Sequence, residues 1–186
     1  DKDAKYFWNY NSGKYIPNTT EKYGDKTANV KGATLTIIDN NGDGEVDYVL
    51  SVEKALADIT SVNSKKETVT IRTLGTLDNK DVVGYEDMAK EDVVLYVQYG
   101  GRTYISAPEV VTGKMTRVDR DKADELFITV DGEEYRQSYI LDAASLVDVD
   151  LTRFDIADAK NEPGFDNSYD FVLDSNGYGI AVRPAE

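Results

Sequence analysis

Residues 33–52 read ATLTIIDNNGDGEVDYVLSV, two apolar-alternating runs on either side of a short acidic bend rich in glycine. Ala33, Leu35 and Ile37 alternate with Thr34 and Thr36. Beyond the bend, Val46, Tyr48, Leu50 and Val52 alternate with Asp47 and Ser51. Successive strand side chains point to opposite faces, so each apolar set can line one buried face. The stretch therefore reads as strand, loop, strand.

Working outward, hairpin signals recur. Asn11-Ser12-Gly13 separates Tyr6-Phe7-Trp8 from Tyr15-Ile16, and Gly100-Gly101 separates 93–99 from 102–106. Asp131-Gly132 separates 126–130 from 133–136, and Asn176-Gly177 separates Phe171-Val172-Leu173 from 178–182. Gly, Asn and Asp tolerate the positive φ angles of tight hairpin turns. The 13 tyrosines, with many Val, Thr and Ile, also favour strands. The expected fold is all-β, or β-dominated: small β-sandwich or barrel modules built from hairpins, with little helix. The 93–130 region, with two close hairpins and Gly113, is expected to form one small curved sheet or barrel.

Helical signals are few. Residues 51–59 carry Glu53-Lys54-Ala55-Leu56-Ala57 and read as either helix or strand, and 85–90 read as one helical turn. Residues 141–160 mix Asp with Leu, Val and Ala, compatible with a short helix or two strands. The polar run Asn63-Ser64-Lys65-Lys66-Glu67 places a boundary between modules 1–64 and 65–186, or is a loop within one domain. No repeat of fixed period and no low-complexity tract is evident.

Composition narrows the chemistry. The 186 residues suffice for one large β domain or two small ones, and 40% are apolar. Asp plus Glu number 35 against 21 Lys plus Arg, a net charge of −14. That sign repels phosphate backbones and argues against nucleic-acid binding. The chain has no Cys and no His, which rules out disulfides, His- or Cys-ligated zinc, Ser-His-Asp triads and Cys-His pairs. Apolar runs are too short to span a bilayer as a helix, so no membrane insertion is expected. No signal peptide is visible, and a start at Asp1 without Met is expected of a fragment of something longer.

The bend itself carries the one defined chemical pattern. Asp39-Asn40-Asn41-Gly42-Asp43-Gly44-Glu45-Val46-Asp47 has the form D-x-N-x-D-G-x-x-D. Calcium takes six to eight oxygen ligands at ~2.3–2.6 Å. Asp39, Asn41 and Asp43 would supply side-chain oxygens, Glu45 a backbone carbonyl, and Asp47 would close the site. Gly44 permits the sharp reversal. The first half matches an EF-hand loop, but the twelfth position is Leu50 and both flanks read as strands. The loop thus resembles the strand-flanked calcium sites of FG-GAP repeats in β-propellers; a single copy does not imply a propeller. The ion expected here is Ca2+ in a structural role.

Other constellations have plainer readings. Ser51-Val52-Glu53-Lys54 fits S-x-x-K, yet the S-D-N and K-T-G companions of penicillin-recognising enzymes are missing. Carboxylate pairs such as Asp148 and Asp150, or Glu133 and Glu134, meet the bare requirement of a glycosidase, but read as solvated charges in so acidic a chain. Tyr6, Phe7, Trp8, Tyr10 and Tyr15 suit cross-strand core pairs better than a sugar-stacking platform. Asn18-Thr19-Thr20 is a formal glycosylation sequon.

Three stretches together resemble one known group. Residues 36–49, TIIDNNGDGEVDYV, followed by Ile59-Thr60-Ser61-Val62, are similar to the "IDxDGDGxxDYV … VTSV" segment of β-rich surface proteins from Clostridia-type bacteria, which often carry S-layer homology domains. Gly84-Tyr85-Glu86-Asp87 with residues 90–96, KEDVVLY, is similar to their "KGDVV" strand, with Glu91 where Gly is usual. Residues 169–178, YDFVLDSNGY, are similar to their "LDxNGY" hairpin. The resemblance implies a non-catalytic structural or adhesive module, extracellular or on a bacterial cell surface, with cell-wall or host glycans or neighbouring surface-protein domains as partners. S-layer homology repeats themselves are not visible. The alternative expectation is a carbohydrate-binding module of a secreted glycan-active enzyme.

Overall fold

The computed structural model describes residues 5–11, 14–17, 33–122, 126–138, 152–153, 165 and 167–185. The fold is all-β, in three sheets taken up in chain order. The first holds β1 (Lys5–Asn11), β2 (Lys14–Pro17), β3 (Ala33–Ile38) and β4 (Tyr48–Glu53), ordered β2-β1-β4-β3. The second holds β5 (Ala55–Asn63), β6 (Thr68–Ile71), β7 (Gly75–Asp78), β8 (Val82–Val83), β9 (Val93–Tyr99) and β10 (Arg102–Ser106), ordered β7-β6-β5-β9-β10-β8. The third holds β11 (Glu109–Arg120), β12 (Leu126–Val130), β13 (Glu133–Arg136), β14 (Thr152–Arg153), β15 (Ser168–Leu173) and β16 (Gly179–Pro184), ordered β13-β12-β11-β15-β16-β14.

All four hairpins read from turn residues form: β1–β2, β9–β10, β12–β13 and β15–β16 are antiparallel pairs. Residues 51–59 are not helix: they fall in β4 and β5, with Lys54 between the two strands. The run Leu56-Ala57-Asp58-Ile59 is buried throughout, so the alternation that marks a one-sided strand is lost there. At 85–90 the backbone makes turns, with the Met88 N–H donating to the Tyr85 carbonyl at 3.0 Å. The polar run 63–67 is the β5–β6 turn, with Asn63 opposite Thr68. The expectation of one curved sheet over 93–130 is corrected. β9 and β10 belong to the second sheet and β11 and β12 to the third, with Ala107-Pro108 between them.

The second and third sheets are two copies of one unit. Adding six to each strand number in the order of the second sheet yields the order of the third. In each, a long opening strand pairs antiparallel along its first half with the outer hairpin: β5 with β9, β11 with β15. It pairs along its second half with a meander: β5 with β6, β11 with β12. A register shift marks the change of partner, at Ile59/Ser61 in β5 and Met115/Arg117 in β11. Bulges bend a strand and raise its twist, which lets one strand serve two neighbours around a small core. The copies differ at the far edge, where β8 runs parallel to β10 but β14 antiparallel to β16. Their connections also differ in length, so no fixed sequence period results.

Each unit has its own core. Ala57, Ile59, Val69, Ile71, Val82, Val94 and Ile105 pack inside the first. Met115, Ile128, Val130, Phe171 and Val182 pack inside the second. A third cluster joins them, with Leu56 and Leu95 of the first unit against Val172, Ile180 and Ala181 of the second. Near it Asp58, 1% exposed, receives both Arg72 Nε at 2.7 Å and Nη2 at 2.9 Å. The fork geometry satisfies a carboxylate that burial would otherwise penalise heavily.

Two backbone positions test this packing. Gly84 has φ +90, and a Cβ there would collide with the Ile105 carbonyl oxygen. Glu91 has φ +76, a conformation that favours glycine, while its N–H donates to the Ile59 carbonyl at 2.7 Å. Gly84→Ala is expected to destabilise by more than about 2 kcal/mol, through strain and displacement of β8 from β10. Glu91→Gly is expected to stabilise by about 0.5–1 kcal/mol, since relief of ~1–2 kcal/mol of left-handed strain outweighs the added chain entropy. Urea denaturation of both variants checks this; equal midpoints for the two would contradict it.

Candidate metal centre

The 39–47 loop joins β3 to β4, whose register is unbroken from Ala33↔Glu53 to Ile38↔Tyr48. The Asp47 N–H donates to the Ile38 carbonyl at 2.9 Å, closing the base of the loop. Asp39 sits at its centre. One carboxylate oxygen, Oδ1, accepts the N–H groups of Gly42 at 2.6 Å and Asn41 at 3.2 Å; Oδ2 accepts that of Gly44 at 2.9 Å. Gly42 and Gly44 have φ +78 and +85, which turns their amides inward at no Cβ cost.

The other expected ligands follow the same pattern. Asn41 Oδ1 accepts the Asp43 N–H at 2.9 Å, and its Nδ2 donates to Asp43 Oδ2 at 2.9 Å. Asp43 Oδ1 accepts the Glu45 N–H at 2.8 Å. Asp47 Oδ2 reaches back across the loop to accept the Asn40 N–H at 2.8 Å. All five expected residues, Asp39, Asn41, Asp43, Glu45 and Asp47, thus lie on one short bend, and four of them organise its backbone through their side chains. Among the described residues, no three carboxylates are gathered closely enough to hold a metal as they stand.

The donor set nonetheless suits calcium in type. It consists of hard oxygens only, and an ionised carboxylate has about four acceptor sites. These bonds occupy three on Asp39, two on Asp43 and one on Asp47. The loop is exposed from Asp39 to Glu45, so bringing the carboxylates together displaces no core side chain.

A shortened form of this turn closes β15–β16. Asp174-Ser175-Asn176-Gly177 matches Asp39-Asn40-Asn41-Gly42 in its Asp, Asn and Gly. Asp174 Oδ1 accepts the Asn176 N–H at 2.8 Å, as Asp39 Oδ1 accepts that of Asn41, and Gly177 has φ +81. Asp174 is buried, and its Oδ2 has no hydrogen-bond partner among the described residues. The signal for this likeness in the sequence is the shared D-x-N-G pattern.

The remaining candidates separate. Lys54 lies between β4 and β5, its Nζ 3.4 Å from Ser106 Oγ, and Ser51 of the S-x-x-K pattern is on strand rather than helix. Glu133 and Glu134 are exposed neighbours on β13. Asp148, Asp150 and the 18–20 sequon lie outside the described residues. Tyr10 stands opposite Tyr15, and Trp8 opposite Ile16, in the β1–β2 ladder. A hollow of about 530 Å³ lies where the two units meet, with Asp87, Glu91, Asp92, Val93, Val110 and Arg183 in its lining; among the described residues no aromatic side chain lines it.

The Gly44 and Gly42 amides, in that order, hold the Asp39 carboxyl below its ordinary value; desolvation opposes them, and the Asn41 and Asp43 amides add smaller lowering effects. A depressed folded-state pKa stabilises the loop above the ordinary Asp value of about 3.9 and is lost as pH falls through the lowered value. Carboxyl NMR titration should therefore place the Asp39 midpoint below those of exposed aspartates. Gly42 and Gly44 amide shifts should move with it. A midpoint at or above the ordinary value would refute this account of the loop.

In comparisons with known proteins, no family model, no curated protein and no solved structure matches the chain.

Proposed function

We propose that this chain is a non-catalytic structural or adhesive module of a bacterial cell-surface or secreted protein, stabilised by calcium at Asp39–Asp47. The observation that carries the reading is the duplicated β unit, stacked through Leu56 and Leu95 on Val172, Ile180 and Ala181. Repeated units that bury apolar faces on one another extend a protein by simple addition, each copy contacting its neighbour. Such a build suits display and spacing. The acidic balance, −14 overall, suits an exposed surface in the presence of divalent cations.

Calcium has a definite part in this reading. Asp39, Asp43 and Asp47 repel one another on a short bend, and a divalent ion coordinated by them, with Asn41 Oδ1 and the Glu45 carbonyl, replaces repulsion with attraction. The ion would brace the β3–β4 hairpin and carry no reaction. Its partners would be neighbouring surface-protein domains or cell-wall or host glycans.

The test is thermal unfolding of the β3–β4 region in calcium and in excess chelator. Calcium is expected to raise the melting temperature, with a gain that grows with the logarithm of free ion concentration. Asp43→Asn and Asp47→Asn should each remove most of the gain. Identical melting curves with and without chelator would overturn the calcium assignment.

A further inference from the structure

The duplicated unit supplies a template for the first sheet. In each complete copy the outer hairpin is β9–β10 or β15–β16. A backbone segment runs parallel to the start of its second strand, through Thr103↔Val82 in one copy and the Gln137↔Gly179 bridge in the other. The first sheet repeats this arrangement. β3–β4 is an antiparallel hairpin, and β1 runs parallel to β4 from Lys5↔Tyr48. The turn likeness between 39–42 and 174–177 supports the same equivalence. β3 therefore corresponds to β9 and β15.

One neighbour is then unaccounted for. β9 is flanked by β5 and β15 by β11, whereas β3 has β4 on one side and, among the described residues, no strand on the other. Among the described residues the strand has none of the usual protections of an edge. Its six residues, ATLTII, include no charge and no proline, and its pairing with β4 has no bulge. Ile37 is 57% exposed.

We propose that the outer edge of β3 is the seat of an antiparallel strand of the β5 and β11 kind, which completes a third copy of the unit. The comparison also gives its place in the chain. β5 and β11 precede the other strands of their own units, so the strand sought precedes β1. Main-chain hydrogen bonds along β3 provide its affinity, and apolar residues at alternate positions cover Ile37.

The test uses the chain as it stands with a synthetic, end-capped peptide of the Lys54–Asn63 sequence, followed by amide hydrogen exchange. The β3 amides that β4 leaves free are expected to exchange quickly alone and at least about tenfold more slowly with peptide. A scrambled peptide should have no effect, and Ile37→Lys should abolish binding while leaving the two complete units folded. In a second arm, a copy of Ala55–Asp78 is joined by a flexible linker ahead of Lys5, and the melting temperature of the first sheet should rise. Three results would overturn the proposal: β3 amides already protected in the chain alone, no response in either arm, or a β3-to-β3 dimer that the peptide does not displace.

Discussion

β5 is covered on both faces, and much of the structure depends on that constraint. Ala57 and Ile59 face the core of their own unit, while Leu56, with Leu95 beside it on β9, packs on Val172, Ile180 and Ala181 of the next. Leu56, Leu95 and Ile59 each contribute ~1.5–3 kcal/mol by leaving water, so neither unit can expose this face without a large loss. Asp58 lies in the same buried run and requires Arg72, which ties the start of the β6–β7 connection to β5. One strand thus joins two cores and an ion pair.

The two units use different amounts of chain to reach the same topology. The first runs from Ala55 to Ser106 and the second from Glu109 to Pro184. What is shared is the mid-strand shift of partner at Ile59/Ser61 and Met115/Arg117. Small side chains accompany it. Gly113 faces Asp131 and Val130 so closely that a Cβ there would collide with both, and Ala57 occupies a buried site on β5. Glu91 accepts a left-handed backbone next to the β5 shift, because its amide is needed by the Ile59 carbonyl.

The acidic loop follows another logic. Its glycines turn amides inward, and Asp39 collects them; Asn41 and Asp43 cap the amides two residues on. A loop held this way keeps its bend through backbone hydrogen bonds, and an ion added to it acts on carboxylates that are already anchored. The same device in short form, at Asp174–Gly177, closes the last hairpin without the extra acidic residues.

Local chemistry alone determined the hairpins. Asn-Gly, Asp-Gly and Gly-Gly turns between alternating runs leave few other conformations, and the strands at 93–99 and 102–106 lie where those signals put them. The acidic bend was legible for the same reason, since ligand type and spacing are local. Partner choice was not local. Residues 93–130 read as one sheet because nothing within a hairpin records which third strand it meets, and that is decided by burial of Leu56 and Leu95 on Val172 of β15 and on Ile180 and Ala181 of β16, far along the chain. The repeat was hidden likewise, because it lies in strand order and bulge position, which packing selects, and not in a fixed sequence period.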